Sequence, residues 1–391
     1  MKRNKIAYLT INDPQDKRSW SGIPFYLGQS LVQHGWDVDF IGPVKIPRWL
    51  DKTLRGMAKL NRILFRTEYA TKYNLLTSWY ARRIYRRRMK GKEYDCIVAP
   101  ANSTGVAYLD SRIPMVYLSD TTFRLISNYY KNEFERISPF SRWEGDLLEK
   151  RSLERSAAIM YSSQWAADSA MKDYGIPADR IVIQPYGANM DGIPDRASIF
   201  EKEKNKRLTL LYLAVEWERK GGKIAYETLL ALKKRGVNAE LIVCGVVPPA
   251  EFNDPDMTVI PFLNKNKEED HGRFIELLSS VHFLLLPTRA DCSLLVACES
   301  NAYGVPAIST DTGGVSYVVR DGINGYCLPY DANGDAYANK IAELFEDKGR
   351  YHALVQSSRQ RFEEALNWDS WMKRFERVFE EKILTQRKSA S

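Results

Sequence analysis

The sequence predicts an α/β protein of two doubly wound, Rossmann-like domains that face each other across a central cleft. Its 391 residues are about twice the length of a usual domain. Short apolar runs rich in β-branched residues alternate with stretches of helical periodicity along both halves. At residues 196–206 the composition turns polar and charged, which predicts a linker. Because such sheets bind ligands at the carboxyl ends of their strands, we expect a site in the cleft.

The first half begins with the pattern of a doubly wound fold. Residues 6–11 form a β-branched, apolar run that ends at Asn12, and this run predicts the first strand. A helix is expected from Ser21-Gly22 to about His34, and a second strand at 38–41. Four further strands are predicted at residues 96–99, 115–118, 158–162 and 181–184.

The second half repeats the alternation of strands and helices. Its strands are predicted at residues 208–214, 240–244, 257–260, 283–287, 307–310 and 325–328. Its helices are predicted at about 222–235, 271–280, 294–303 and 335–346, and residues 351–382 are strongly helical. We therefore expect one domain over residues 1–195 and another over 205–367, with a C-terminal helix at about 368–391 packed back on the first.

Composition narrows the class of protein. The chain is 44% apolar and 27% charged, as in ordinary globular proteins, and no apolar run reaches the ~18 residues of a membrane span. The first apolar run lacks the small-residue cleavage site of a signal peptide. The cysteines are odd in number and widely spread: Cys96, Cys244, Cys292, Cys298 and Cys327. These features favour a soluble chain in a reducing cytoplasm.

The most informative stretch follows the predicted strand at 283–287. Asp291 lies at the mouth of the next helix and Glu299 eight residues later, about 12 Å along a helix. The amides between them, those of Ser293, Leu294, Leu295 and Val296, are the donors that a helix N-terminus leaves unpaired. Such amides bind phosphate groups, and a carboxylate at each end would accept hydrogen bonds from sugar hydroxyls. The structural alternative is that Asp291 caps the helix and Glu299 faces solvent.

A second glycine-rich feature follows. Gly304-Val305-Pro306 leads into an apolar strand, and Asp311-Thr312-Gly313-Gly314 stands at its carboxyl end. Glycines at this position allow the backbone to approach a ligand closely, although they also suit a simple tight turn.

These motifs resemble the donor-binding region of family-4 glycosyltransferases, which have the fold called GT-B. The resemblance covers the second half in order: Lys220-Gly221, the block from Arg289 to Gly314, and Asp321-Gly322-Ile323-Asn324-Gly325. The first half is similar through Ser21-Gly22 and Tyr186-Gly187-Ala188-Asn189. The resemblance implies an acceptor-side N-terminal domain and a C-terminal domain that binds a nucleotide sugar.

The resemblance also implies roles for individual residues. Lys220 would bind the donor diphosphate, Asp291 the hydroxyls of the donor sugar, and Glu299 the ribose. Leu295 and Val296 would donate backbone N–H groups to the diphosphate, beside Ser293 and Leu294. Gly22 would let the first loop approach the diphosphate.

The chain departs from the family pattern at four places. The arginine that usually precedes the lysine is missing, and we expect Arg219 or Arg289 to replace it. The first motif acid is Asp291 instead of glutamate, and Ser293-Leu294 stands where Phe-Gly is usual. No histidine lies near residues 116–120. Asp120 occupies a similar strand end, where it would orient a sugar hydroxyl or cap the next helix.

We therefore expect a retaining, metal-independent glycosyltransferase that moves a sugar from a UDP- or GDP-type donor to a glycan or lipid-linked acceptor. No cofactor is expected, since a lysine and a helix N-terminus can stabilise a leaving diphosphate without a metal. The alternatives are a nucleotide-sugar epimerase or a phosphorylase on the same fold, and a non-catalytic adaptor that binds a sugar nucleotide or a membrane.

The positive charge is concentrated in one segment. Residues 45–92 hold 15 Lys and Arg against Asp51 and Glu68, so the net charge of the segment is +13. The net charge of the whole chain is +8, so the rest of the chain carries −5. Aromatic and aliphatic residues at helical spacing favour an interfacial helix on an anionic membrane. A solvated helix face and a grip on an anionic acceptor are the alternatives. No motif supports binding to nucleic acid.

Overall fold

The computed structural model describes residues 4–385, which form two compact units. The first unit contains residues up to Gln184 and those from Met372 onward, and the second contains Pro185–Trp371. The helix expected at about 368–391 is described up to position 385, and the part beyond that position lies outside the described residues.

The first unit is built on a six-stranded parallel sheet with the strand order β2-β1-β3-β4-β5-β6. Its strands are β1 (Lys5–Leu9), β2 (Asp37–Ile41), β3 (Cys96–Pro100), β4 (Met115–Ser119), β5 (Ala158–Tyr161) and β6 (Ile181–Ile183). In the register, Ile6 pairs with Val38 on one side and Cys96 on the other. β3, β4 and β5 are buried along their whole length, as expected for parallel strands covered on both faces.

Eight helices cover this sheet or extend from it. They are α1 (Ile23–Gln33), α2 (Arg48–Phe65), α3 (Leu75–Met89), α4 (Ser103–Val106), α5 (Phe123–Tyr129), α6 (Lys131–Phe134), α7 (Pro139–Arg155) and α8 (Gln164–Tyr174). α3 and α8 contribute to the core against the sheet, whereas α2 packs on α3 in a small separate cluster.

The second unit has the same architecture. Its strands are β7 (Leu208–Leu213), β8 (Ala239–Cys244), β9 (Met257–Ile260), β10 (Phe283–Leu286), β11 (Ala307–Thr310) and β12 (Gly325–Leu328), in the order β12-β11-β10-β7-β8-β9. Its helices are α9 (Gly222–Lys234), α10 (Glu268–Ser280), α11 (Leu295–Ala302), α12 (Val315–Val318), α13 (Gly334–Glu346) and α14 (Lys348–Ala365). All the strand pairs are parallel.

The predicted fold class is confirmed: each of the twelve predicted strands coincides with an observed strand to within two or three residues at either end. The helical tail consists of two helices, since α14 ends at Ala365 and α15 (Trp368–Val378) follows. The Asn367 side chain stabilises this break: its amide donates to the Phe362 carbonyl at 2.7 Å and its oxygen accepts from Ser370 N at 2.8 Å.

The end of the tail belongs to the first unit. Trp36, which precedes β2, packs edge-on against Phe375 and Phe379, with ring centroids 5.3 and 4.8 Å apart. A π-helical turn at Phe379–Leu384 continues α15.

Candidate active site

The candidate site residues of the second unit come from three neighbouring strand ends. β11, β10 and β7 are adjacent in the sheet, and the loops that follow them begin at the same edge. Lys220 follows β7, Asp291 follows β10 and Gly313 follows β11. The topology therefore brings together residues that lie up to about ninety positions apart in sequence.

The loops after β7 and β10 are joined by their backbones. Arg289 N donates to the Arg219 carbonyl at 2.8 Å. Gly221 has φ +74°, and a side chain there would collide with the Pro287 carbonyl. This contact requires a glycine after Lys220, and it fixes the lysine beside the β10 loop.

Lys220 and Asp291 form an ion pair in which the ammonium group donates to Oδ2 of the carboxylate. Both side chains are largely buried, with 15% and 10% of their surfaces exposed. The backbone oxygen of Asp291 also accepts from Gly314 N at 3.2 Å, which links this pair to the loop after β11.

The structure corrects the expectation of four unpaired amides after Asp291. Ser293 N and Leu294 N donate to Asp291 Oδ1 at 3.4 and 3.2 Å, so these two amides are engaged. The helix begins only at Leu295, after Leu294 in a left-handed conformation with φ +38°. The eight residues from Asp291 to Glu299 are therefore not one continuous helix. The amides of Leu295 and Val296, in the first turn of α11, remain as the donors that helix geometry leaves unpaired.

Asp291 is stabilised as a carboxylate. Burial by itself would raise its pKa, but the positive charges of Lys220 and Arg219 and the hydrogen bonds that it accepts lower the pKa below its usual value. The site therefore holds a negative charge that is already balanced by a lysine.

Glu299 does not lie on a solvated helix face, which was the structural alternative. It is 3% exposed and lies on the inner side of α11. The ammonium of Lys265 lies 2.6 Å from its Oε1 atom and 4.2 Å from the centroid of the Phe274 ring. Burial raises the pKa of Glu299 above its usual value, although the charge of Lys265 opposes that effect.

Lys265 is the residue that the sequence interpretation missed. It follows β9, so the rule that ligand-binding residues lie after strand ends would have selected it. Its distance of 34 positions from Glu299 left no local pattern to connect the two.

The two arginines expected to replace the family's missing arginine have different surroundings. The Arg219 guanidinium binds both carboxylate oxygens of Glu216 at 3.0 and 2.5 Å and donates to the Ala290 carbonyl at 2.9 Å. Arg289 instead stacks on Tyr330, 3.6 Å from the ring centroid. Arg219 thus braces the loops after β7 and β10.

In the first unit, Gly22 and Asp120 lie after the strand ends of β1 and β4. Gly22 has φ +86°, and an added Cβ would lie 2.9 Å from the Lys17 carbonyl, so the loop requires glycine. Trp20, in the same loop, donates from Nε1 to Asp120 Oδ2 at 3.3 Å. Thr122 caps α5 by accepting from Leu125 N, so Asp120 is not the helix cap.

Other features bear on the chemistry of the chain. Across residues 4–385, no three side chains of His, Cys, Asp or Glu are grouped so as to hold a metal ion. All five cysteines are free thiols. Within the same described part of the chain, every helix is too short or too polar to cross a membrane.

Comparison with known families matches almost the whole chain. Residues 25–191 match the model described as Glycosyltransferase Family 4, and residues 195–361 match that of Glycosyl transferases group 1. A D-inositol 3-phosphate glycosyltransferase of Paenarthrobacter aurescens is 24% identical over 282 residues, which are 68% of this chain and 67% of that relative.

Solved structures share the fold. Sucrose-phosphate synthase of Thermosynechococcus elongatus superimposes with a TM-score of 0.71 at 18% identity over 100% of both chains. HepE of Anabaena, solved in complex with UDP, superimposes with a TM-score of 0.64 at 12% identity over 97% of this chain and 100% of its own. With two parallel α/β units and both family models matched, the chain belongs to glycosyltransferase family 4, the retaining GT-B enzymes that transfer a sugar from a nucleotide-sugar donor.

Proposed function

We propose that the second unit binds a nucleoside diphosphate sugar through the residues around α11, and that the enzyme transfers this sugar to a glycan or lipid-linked acceptor. The observation that carries the proposal is the convergence of Lys220, Asp291 and Glu299. The Lys220–Asp291 ion pair precedes α11 and the buried carboxylate of Glu299 lies on it, after a strand end at the edge where such sheets bind nucleotides.

Lys220 and the first turn of α11 suit the diphosphate. A leaving diphosphate gains negative charge in the transition state, and fixed positive groups lower the barrier. The Lys220 ammonium and the amides of Leu295 and Val296 supply such groups. Because Asp291 already balances the lysine, a bound diphosphate would share the ammonium with that carboxylate.

The two carboxylates suit the sugars at either end of the donor. Asp291 is ionised at neutral pH because its pKa is lowered, so it can accept hydrogen bonds from hydroxyls of the transferred sugar. Glu299 lies eight positions further along the chain and about one turn into α11, where it would accept hydrogen bonds from the ribose hydroxyls. Lys265 holds Glu299 in place for that role.

The remaining site residues are assigned by their surroundings. Arg219 positions the loop that carries Lys220. Arg289 is the better candidate to contact the diphosphate, because its guanidinium forms no ion pair with any residue in the described range 4–385. Gly22 and Asp120 stay as predictions for the first unit: Gly22 would allow close backbone approach to the diphosphate, and Asp120 would orient a sugar hydroxyl.

The base of the donor is proposed as uracil or guanine. The structural neighbour HepE was solved with UDP, which favours uracil. The acceptor is proposed as a glycan or a lipid-linked sugar, and the cationic segment 45–92 as the part of the enzyme that contacts an anionic membrane surface. A role in building a surface polysaccharide or glycolipid would follow.

A thermal-shift panel of UDP, GDP, ADP and their common sugar conjugates tests the donor assignment. A ligand that binds only the folded protein raises its apparent stability by RT ln(1 + [L]/Kd). We expect a selective shift with one nucleotide, and loss of that shift in Glu299→Ala. Equal shifts with all three, or none with any, would contradict the proposal.

Product analysis separates an enzyme from a non-catalytic adaptor. The nucleotide selected by the panel would be supplied as its sugar conjugate, and release of nucleoside diphosphate would be followed with and without candidate acceptors. Binding without turnover, for every acceptor and for water, would favour the adaptor alternative.

A further inference from the structure

The helix α2 presents three different faces. Its buried face, with Leu50 and Leu54, packs on α3 through Leu76 and Tyr80. A second face is cationic, with exposed side chains spaced alternately by four and three positions: Arg48, Lys52, Arg55, Lys59, Arg62 and Arg66. This spacing places all six along one line of the helix surface.

The third face of α2 is apolar and exposed. Trp49, Leu60, Ile63 and Leu64 lie along it, and Phe65 ends the helix beside it. Each of these five side chains is more than half exposed, between 54% and 66%. Folded proteins rarely leave so many large apolar side chains on one exposed helix unless the surface binds something.

A pair of aromatic residues on α7 extends this apolar face. Phe140 and Trp143 are 51% and 52% exposed, and their ring centroids lie 5.7 Å apart. The chain just after α2 is bonded to the chain just before α7, since Glu68 N donates to Arg136 O at 2.6 Å and Ser138 N donates to Glu68 O at 2.8 Å. Phe65 and Phe140 lie three and two positions from this junction, so the junction holds the end of α2 near the start of α7.

α3 differs from α2 although each helix carries five cationic residues. Its Ala81 and Tyr85 are part of the core against the sheet, and Arg83, Arg86 and Arg87 lie on its exposed side. Trp79 is its one large apolar side chain that is half exposed, and its ring packs against Tyr108. α3 is therefore the solvated helix of the segment, and α2 is the amphipathic one.

We propose that the apolar face of α2, together with Phe140 and Trp143, inserts into the interface of an anionic lipid bilayer, with the cationic face of α2 against the lipid headgroups. An interfacial helix needs this combination of an apolar face and a flanking cationic face. This membrane contact rests on the proposed function, because an enzyme that uses a lipid-linked acceptor must reach the membrane surface where that acceptor lies.

Charge favours lipid over the other possible occupants. In a symmetric pair of chains the same face of each copy meets, so two rows of six cations would approach each other and repel. Nucleic acid would match the cations, but its phosphate backbone offers no apolar surface to cover the exposed aliphatic side chains Leu60, Ile63 and Leu64. An anionic bilayer satisfies both faces.

Vesicle co-sedimentation of the full chain tests the proposal. We expect binding to vesicles of equal parts phosphatidylcholine and phosphatidylglycerol, and much weaker binding to phosphatidylcholine alone. Lys59→Gln/Arg62→Gln should weaken the binding about twenty-fivefold, since each cation near such a surface contributes about a factor of five. Leu60→Ser/Leu64→Ser should also weaken it about tenfold or more, and this loss should persist at high salt, where the cationic contribution is screened.

Matched variants outside the α2 surface serve as controls. Arg83→Gln/Arg87→Gln removes two exposed charges from α3, and Val32→Ser removes an exposed apolar side chain from α1; both should change vesicle binding less than threefold. The insertion of α2 is overturned if the α3 double substitution weakens vesicle binding as much as the α2 double substitution does. It is also overturned if Leu60→Ser/Leu64→Ser binds vesicles like wild type. Concentration-dependent dimerisation that Leu60→Ser/Leu64→Ser abolishes, without vesicle binding, would assign the face to a second copy instead.

The nucleotide thermal shift distinguishes failure of this proposal from failure of the proposed function. All the surface variants should keep the wild-type shift, because none of the substituted residues belongs to the donor site. Vesicle binding without a nucleotide shift would refute the donor assignment alone, and a shift without vesicle binding would refute the membrane surface alone.

Discussion

Lys265 and Glu299 form a buried ion pair across 34 positions of sequence, with 2.6 Å between the ammonium nitrogen and Oε1. The lysine also lies over the ring of Phe274 and 3.4 Å from the carbonyl oxygen of Asn189. A buried carboxylate is costly without a partner, so the charge of the lysine opposes the rise in the pKa of Glu299 that burial causes, and the ion pair limits the rotamers of Glu299. Lys265 is thus a positioning residue for the proposed ribose site.

Lys265→Met should weaken nucleoside diphosphate binding. Burial already raises the pKa of Glu299, and loss of the neighbouring charge would raise it further. As pH is lowered, the affinity of the variant for the nucleotide should therefore begin to fall at a higher pH than that of wild type. Calorimetric titration of the nucleotide across pH measures this shift. Lys265→Arg, which keeps the charge, should behave more like wild type, and identical pH profiles for all three proteins would refute the positioning role.

Glu299→Ala should weaken nucleotide binding more than it slows the chemical step. In the proposed donor site the carboxylate contacts the ribose, which does not change charge during transfer, so the lost hydrogen bonds should cost about 1.5 to 3 kcal/mol in both ground and transition states. We expect a large rise in KM with a smaller change in kcat. A fall in kcat alone, with unchanged KM, would place Glu299 elsewhere in the mechanism.

Lys220→Ala should mainly reduce kcat. In the proposed mechanism the ammonium stabilises charge that develops on the leaving diphosphate, and loss of such a group costs about 3 kcal/mol, a hundredfold or more in rate. Steady-state kinetics with the cognate donor measures the effect. Lys234→Ala, an exposed lysine at the end of α9, is the matched control and should be near wild type. Near-normal turnover of Lys220→Ala would remove its assigned role.

Turnover should persist in EDTA. We assign the stabilisation of the diphosphate to Lys220 and to the amides of Leu295 and Val296, so a divalent cation has no required role in that step. The rate of nucleoside diphosphate release would be compared before and after dialysis against the chelator, with Mg²⁺ added back as a control. A strict metal requirement would contradict the assigned mechanism.

Glu149, on α7 of the first unit, should make stability depend on pH. Burial raises its pKa from 4.5 to about 7, although hydrogen bonds from Ser103 and Tyr117 oppose the effect. A carboxyl whose folded pKa is raised contributes stability that is complete below its unfolded pKa and is lost as pH rises through the folded value. The loss between about pH 4.5 and pH 7 should be on the order of 3 kcal/mol.

Glu149→Gln removes that titration while keeping the shape of the side chain. Its thermal midpoint should rise relative to wild type as pH increases towards about pH 8, and the two proteins should be closest at about pH 4. Unfolding followed by circular dichroism at several pH values measures the difference. A difference that does not change with pH would show that Glu149 is not the group responsible.

The sequence predicted the strands of both units because their signal is local. Each buried parallel strand, such as β3 or β10, is a short apolar run bounded by polar residues or glycine, and this pattern needs no knowledge of distant contacts. The structure adds the cause of the break between α14 and α15, because only the side-chain contacts of Asn367 with Phe362 and Ser370 show what ends one helix and begins the next.

The candidate site was predicted in part: residues close in sequence were recognised together, and pairs of residues far apart in sequence were not. Asp291 and Glu299 belong to one short motif and were recognised together. The pairing of Lys220 with Asp291, 71 positions apart, and of Lys265 with Glu299 required the strand order β11-β10-β7-β8-β9. The engagement of the Ser293 and Leu294 amides by Asp291 was also missed, since it depends on the left-handed backbone at Leu294.

The sequence by itself determined the fold class and the family and proposed the residues of the donor site, since strand periodicity and short motifs lie within neighbouring positions. Tertiary structure alone decided which charges neutralise one another and which helix of the cationic segment is amphipathic. α2 and α3 have similar compositions, and only their packing shows that α3 buries its apolar side chains against the sheet while α2 leaves one apolar face exposed. Burial depends on what the rest of the chain places beside a helix, and that is a property of the fold.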